Sequence, residues 1–225
     1  MNNIEIKTTD INKSLYIDGK PQMIIPNDKD KISQMGEILF LDKMDNFVNN
    51  NTNVLCVGLG AGYTAREILK RNIKSLDIVE VYQSVIDVLK EFDTYDNIIN
   101  DKRCNIICDE ATNYVLNTDK KYDIIIIDVC QPELDVSKNL FQLEFFIDLK
   151  NILNENGIIL YWYYNIKSKS RKDIAKSTVK SLKKVFNFVD FINMENSIFK
   201  DTYFFTSDNI QAFDKDSIIE KIFED

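Results

Sequence analysis

Four short segments carry residues whose types and spacing suit chemistry, and none contains histidine, which the chain lacks altogether. The first is Gly58-Leu59-Gly60-Ala61-Gly62. Glycines there permit a tight turn and let backbone approach a ligand closely, as in nucleotide and nucleoside sites. A dinucleotide fingerprint would need its third glycine at Tyr63, so that pattern is incomplete. The second segment is Val79-Glu80-Val81, with Glu80 lying 22 positions past Gly58. A carboxylate at that distance can accept hydrogen bonds from both hydroxyls of a ribose. The third is Cys108-Asp109-Glu110-Ala111, where Asp109 can cap the next helix or accept a proton from an adenine amino group. The fourth is Asp128-Val129-Cys130-Gln131-Pro132-Glu133, a polar loop directly after the wholly apolar Ile124-Ile125-Ile126-Ile127. Asp128, Gln131 and Glu133 would converge there on a reacting group. Missing histidine removes Ser-His-Asp and Cys-His catalysis and every imidazole metal site. The four segments together describe a nucleoside site with no demand for phosphate-binding cations, which favours a nucleoside carrying a sulfonium.

The elements that must position these residues alternate strand with helix. Val54–Val57, Leu76–Val81, Asn105–Ile107, Ile124–Ile127 and Ile158–Tyr163 read as buried strands. Helices are expected at Ala61–Lys70, through Val85 and Leu89, at Thr112–Leu116, at Phe141–Leu153 ending on Asn156-Gly157, and at Arg171–Phe186. Phe188–Ile192 and Tyr203–Thr206 close the chain as an antiparallel pair. Such alternation implies right-handed crossovers and a mostly parallel sheet covered on both faces. The pattern is that of the Rossmann-like fold of class I S-adenosylmethionine (SAM)-dependent transferases: α/β, seven strands, a terminal antiparallel hairpin. Ligands bind such sheets beyond the carboxyl ends of the strands.

Before this unit lies a smaller one. Leu15-Tyr16-Ile17, Asp18-Gly19 and Met23-Ile24-Ile25 read as a β-hairpin, with Pro21 confining its strand to an edge. A helix is expected from Asn27 or Asp28 to about Val48. Residues 1–48 therefore form an N-terminal hairpin and helix, and 49–225 the Rossmann-like domain.

The charge balance, 28 basic against 36 acidic residues for a net −8, disfavours general binding to nucleic acid or anionic lipid. No apolar run approaches a membrane span, and the N-terminus has no signal-peptide core, so a cytoplasmic protein is expected. Cys56, Cys104, Cys108 and Cys130 form no C-x-x-C pair and read as small hydrophobes. No metal is expected.

These residues resemble one family, the spermidine synthases (polyamine aminopropyltransferases), from about Leu15 to Tyr161. Leu15-Tyr16-Ile17-Asp18-Gly19 with Gln22 is similar to the family's L-x-L-D-G-x-x-Q hairpin, and Val54 to Glu67 to its V-L-x-I-G-G-G-D-G-G-x-x-R-E. Val79-Glu80-Val81 resembles V-E-I-D, and Tyr122 to Phe146 resembles Y-D-V-I-I-x-D-S-S-D-P…L-F…F-Y. The resemblance implies a donor site from Gln22, Gly58, Gly60, Gly62, Glu80, Val81, Asp109, Glu110 and Asp128, with decarboxylated SAM as the family's donor. It also implies a small-molecule acceptor handled by Asp128 and the residue at Gln131, and a homodimer as the expected oligomer.

Three departures alter that picture. Ala61 replaces the aspartate that holds the donor's aminopropyl ammonium. Gln131 replaces the second aspartate, and glutamine cannot act as a general base. The family's Tyr-Gln-Glu helix segment becomes Ile32-Ser33-Gln34, leaving Gln34 as its acceptor-side residue. A carboxylate–ammonium hydrogen bond contributes about 1.5–3 kcal/mol, so losing two weakens diamine transition-state binding by roughly two to four decades. Standard conversion of putrescine to spermidine is thus disfavoured. The first expectation is alkyl transfer with a changed acceptor, foremost methyl transfer from SAM itself. The alternatives are aminopropyl transfer in a remodelled pocket using Asp128, Glu133 or Glu110, and a non-catalytic scaffold. Tyr163 or Tyr164, ending the fifth strand of the alternating unit, would offer an aromatic face to a methylated or cationic acceptor.

Overall fold

The chain folds around two sheets in a computed structural model that describes residues 3–32, 35, 41–129, 137–163, 169–193 and 202–208. The first sheet is antiparallel: β1 (Ile4–Thr8), β2 (Asn12–Ile17) and β3 (Lys20–Pro26) lie in that order. Asp18 and Gly19 close the β2–β3 hairpin with φ of 49° and 75°, the left-handed pair that suits a tight two-residue turn. β3 is an edge strand, as Pro21 requires. Leu15 pairs with Met23 while Tyr16 pairs with Pro21, so Gln22 is the extra residue of a bulge. The N-terminal segment, to which the sequence pattern assigns no element, is strand β1, because Ile4 and Ile6 alternate with Glu5 and Lys7 and pair across to Ile17 and Leu15.

The single helix expected to Val48 is not what forms. Helix α1 covers Lys29–Ile32, Met35 sits in a bend with its N–H on the Ile32 carbonyl at 3.1 Å, and Asp42–Phe47 is a 3-10 helix. Three-residue closures tighten the chain there, and Leu41 and Met44 still reach the core.

The second sheet holds β4 (Asn53–Val57), β5 (Ser75–Glu80), β6 (Cys104–Cys108), β7 (Tyr122–Ile127), β8 (Leu153–Tyr163), β9 (Phe188–Asn193) and β10 (Thr202–Ser207). Their order is β6-β5-β4-β7-β8-β10-β9; β4 through β8 pair in parallel, and β10 runs antiparallel between β8 and β9. The connecting helices are α2 (Tyr63–Leu69), α3 (Gln83–Val88), α4 (Tyr95–Ile99), α5 (Ala111–Asn117), α6 (Leu143–Ile152) and α7 (Lys169–Val185). One correction concerns Asn156-Gly157. α6 ends at Ile152, and Asn156 takes φ 65° inside the span of β8, where pairing skips from Tyr122–Leu153 to Ile124–Ile158. The turn signal there marks a break in the strand ladder rather than a helix end.

Alternate residues of the parallel strands feed two cores. Leu55, Val57, Ile125, Ile127, Ile159 and Tyr161 pack with α6 and α7 on one face. Val54, Cys56, Ile78, Ile124, Ile126 and Leu160 pack with α2 on the other. Burial on both faces explains why these strands read as continuous apolar runs. Leu15, Ile17 and Ile25 of the first sheet share a third cluster with Ala61, Tyr63, Val85 and Phe92. Lys13 on β2 adds a bond to the Glu91 carbonyl and lies 4.8 Å from the centre of the Phe92 ring. The small sheet is thereby seated against the residues around the glycine turn. Strand succession runs β4 to β5 to β6 on one side and continues from β7 on the other, so the switch in order falls between β4 and β7.

Candidate functional site

Gly58 ends β4 at this switch with φ 99°, its N–H on the Val79 carbonyl at 2.8 Å. A Cβ there would stand 2.3 Å from the Asp128 carbonyl oxygen, so β4 and β7 approach as closely as they do only because the residue is glycine. Gly60 faces the Met23 methyl, which would lie 3.1 Å from an added Cβ, placing β3 over the turn. Gly62 leads into α2. Ala61 is fully buried, and its carbonyl accepts a 2.6 Å hydrogen bond from the equally buried Thr94 hydroxyl.

Glu80 ends β5 and is 7% exposed. Its Oε2 accepts the Leu59 N–H at 3.0 Å and its Oε1 the Tyr82 N–H at 2.9 Å. The carboxylate therefore ties the end of β5 to the glycine turn. Burial raises its pKa, against the lowering effect of backbone N–H groups from Tyr82, Leu59, Gly60 and Val81. Val81, next along, is 38% exposed.

Beyond β6 the Asp109 N–H bonds the Glu80 carbonyl at 3.1 Å, bringing the second and third segments together. The cap of α5 is Glu110, not Asp109: its Oε2 accepts the Asn113 N–H at 3.0 Å, with the Thr112 hydroxyl on the same oxygen. Asp109 lies one residue too early for that role and instead receives the Asn113 side-chain amide on both oxygens, at 2.9 and 3.0 Å. Cys108 is exposed rather than packed, because β6 is an edge strand.

Asp128 follows β7 directly, its N–H on the Val57 carbonyl at 2.8 Å. Its Oδ2 accepts a 2.6 Å hydrogen bond from the Thr64 hydroxyl. Burial pushes its carboxyl up to about 6, and the Thr64 bond holds it lower than burial alone would. The neighbouring Cys56 thiol is pushed well above its ordinary value, by burial first and then by Asp128.

Gly58, Glu80, Asp109 and Asp128 thus meet around the carboxyl ends of β4, β5, β6 and β7. Gln34, Gln131, Glu133, Cys130 and Tyr164 lie outside the described residues. Gln22 is half-buried in the bulge of β3. Tyr163 is 1% exposed in the core, its ring at 85° to that of Phe141 with centroids 6.0 Å apart, so burial closes it off from solvent. Tyr161 is likewise core, with its hydroxyl on the Leu140 carbonyl. Thr64 is a site residue the sequence reading passed over, because it occupies an unspecified position of the glycine motif. Among the described residues, no group of three or more cysteines or carboxylates is arranged to hold a metal. No helix among them is long and apolar enough to cross a membrane.

Residues 39–207 match the family model described as the spermine/spermidine synthase domain. The polyamine aminopropyltransferase of Thermoplasma volcanium is 31% identical over 154 residues, covering 68% of this chain and 55% of that protein. That of Methanocaldococcus jannaschii is 35% identical over 113 residues, covering 49% and 38%. The chain thus spans about half the length of the curated relatives it matches, or less. Among solved structures, spermidine synthase from Thermotoga maritima superposes with TM-score 0.77 at 22% identity, covering all of this chain and 76% of that one. Human methyltransferase-like protein 13 in complex with SAH superposes at 0.65 and 17% identity, covering 83% and 88%.

Proposed function

Because the chain belongs to the spermine/spermidine synthase family, we propose that it transfers an aminopropyl group from a sulfonium nucleoside, decarboxylated SAM, to a small amine acceptor other than the usual diamine. The observation that carries this reading is the carboxylate pair at the switch point. Glu80 is fixed by the glycine turn where a ribose would lie, and Asp128 stands at the end of β7 with a carboxyl poised near 6. In the reaction the acceptor nitrogen forms a bond to the carbon next to sulfur as that C–S bond breaks. Sulfur keeps the electron pair and leaves as the neutral thioether methylthioadenosine, while Asp128 takes the proton from nitrogen. Rate should rise with pH through about 6, because only the carboxylate accepts that proton.

Family membership supports aminopropyl over methyl transfer, the reverse of the order that the substituted residues suggest by themselves. Methyl transfer from SAM is the second reading, and buried, apolar-packed Ala61 favours it, since no carboxylate there opposes the SAM carboxylate. A donor competition separates them. Incubation with equal SAM and decarboxylated SAM and a panel of amines should release methylthioadenosine. S-adenosylhomocysteine as the only nucleoside product would overturn the first reading in favour of the second, and no nucleoside binding at all would leave a scaffold.

A further inference from the structure

Thr64 and Asp128 lie 64 positions apart in the chain, yet the hydroxyl of one donates to the carboxylate of the other at 2.6 Å across the switch point. Thr64 belongs to α2 immediately after the glycine turn and is 5% exposed, so its hydroxyl has little access to water as an alternative partner. Asp128 is fixed from its own backbone side as well, through its N–H on Val57. Its two oxygens therefore differ: Oδ2 is occupied by Thr64, whereas Oδ1 accepts no hydrogen bond from a described residue. We propose that Thr64 is a positioning residue for Asp128, holding one oxygen so that the other is presented to the acceptor nucleophile. The role rests on the transferase reading above.

The pairing matters more in this chain because Gln131 cannot share the work of a base. A carboxylate left to rotate in a partly buried site would offer either oxygen and lose the alignment that proton transfer needs. Among the described residues, the titratable group beside Asp128 is the Cys56 thiol on β4, which also feels Glu80 on β5 and is kept neutral by burial. Removing the hydroxyl withdraws a donor that favours the charged carboxylate, so the carboxyl should become harder to ionise.

Thr64→Val and Thr64→Ser test this. Carbon-13 NMR of the free protein, with Asp128 assigned by comparison to Asp128→Asn, should show its titration midpoint rising by roughly one unit in Thr64→Val and returning in Thr64→Ser. The acid limb of kcat/KM for alkyl transfer should move by the same amount. kcat at neutral pH should fall roughly tenfold, with donor KM unchanged. Thr64→Ala removes the hydroxyl with a smaller side chain and reports the same shift if the valine variant does not fold. An unmoved titration in both variants, or no recovery with serine, would overturn the proposal. A shifted titration in a protein that transfers no alkyl group to any amine supports the pairing and refutes the transferase reading instead.

Discussion

Replacing Asp128 by asparagine should make the protein less active and more stable at once, with a gain in stability that depends on pH. The carboxyl rises from its ordinary 3.8 to about 6 because burial penalises its charge more than Thr64 rewards it. A raised folded pKa means that this group's contribution is fully favourable below about 3.8 and is lost as pH climbs through about 6. At about 1.4 kcal/mol per factor of ten, the ionised group costs the fold about 3 kcal/mol at pH 7.5 and about 1 kcal/mol at pH 4.5. Partial exposure makes the first figure an upper bound. Asparagine keeps an acceptor for the Thr64 hydroxyl and carries no charge. In a chain of this size 1 kcal/mol moves Tm by roughly 2–4 °C, so Asp128→Asn should gain up to roughly 6–12 °C at pH 7.5 and about a third of that at pH 4.5. Calorimetry of both proteins at the two pH values measures it. A gain equal at both, or a loss at pH 7.5, would refute the claim that the site carries an uncompensated carboxylate.

Glu80→Ala should weaken S-adenosylhomocysteine and methylthioadenosine by roughly a hundredfold, since two hydrogen bonds to a charged group are lost; unchanged affinity for both in isothermal titration would sink the ribose assignment. Gly58→Ala should cost at least about 3 kcal/mol in urea unfolding, because its Cβ would meet the Asp128 carbonyl at 2.3 Å; a normal midpoint would mean that β4 and β7 part readily. Ala61→Asp buries a charge among Leu15, Ile17, Ile25 and Phe92, so Tm should drop in the free protein, and decarboxylated SAM should restore it more than SAM does; equal rescue by the two would place the donor's ammonium elsewhere. With putrescine and decarboxylated SAM the natural chain should make little spermidine, and product formation at roughly 1 s⁻¹ would contradict the weight given to Ala61 and Gln131.

The parallel sheet was legible because doubly buried strands must be apolar throughout, as Ile124 to Ile127 are, and the residues just beyond each strand inherit the site. The hairpin was legible because Asp18-Gly19 supplies the backbone conformation its turn demands. Strand β1 escaped because a five-residue alternation of Ile4 and Ile6 with charged neighbours hardly differs from a polar tail. The helix expected to Val48 failed because apolar spacing does not distinguish an α-helix from bends and 3-10 turns that bring the same side chains inward. At the site, Glu80 and Asp128 were marked by their positions after strands. The Thr64–Asp128 pair depends on how α2 crosses the sheet, and no local pattern encodes that. Which of Asp109 and Glu110 caps α5 turned on a one-residue shift, finer than sequence patterns resolve.

The hairpin edge bears on how open the small sheet is to unwanted strand pairing. A free strand edge offers unpaired backbone groups to any neighbouring molecule and so invites sheet-to-sheet aggregation. β3 carries Pro21, which has no N–H to offer, next to the bulged Gln22 that interrupts the ladder's regular spacing, with charged Lys20 before them. Next to Met23, which lies over Gly60, the edge therefore lacks a regular row of backbone groups for a foreign strand to pair with. Pro21→Val combined with deletion of Gln22 would restore a continuous edge, at the expense of solubility and of the cover over the glycine turn.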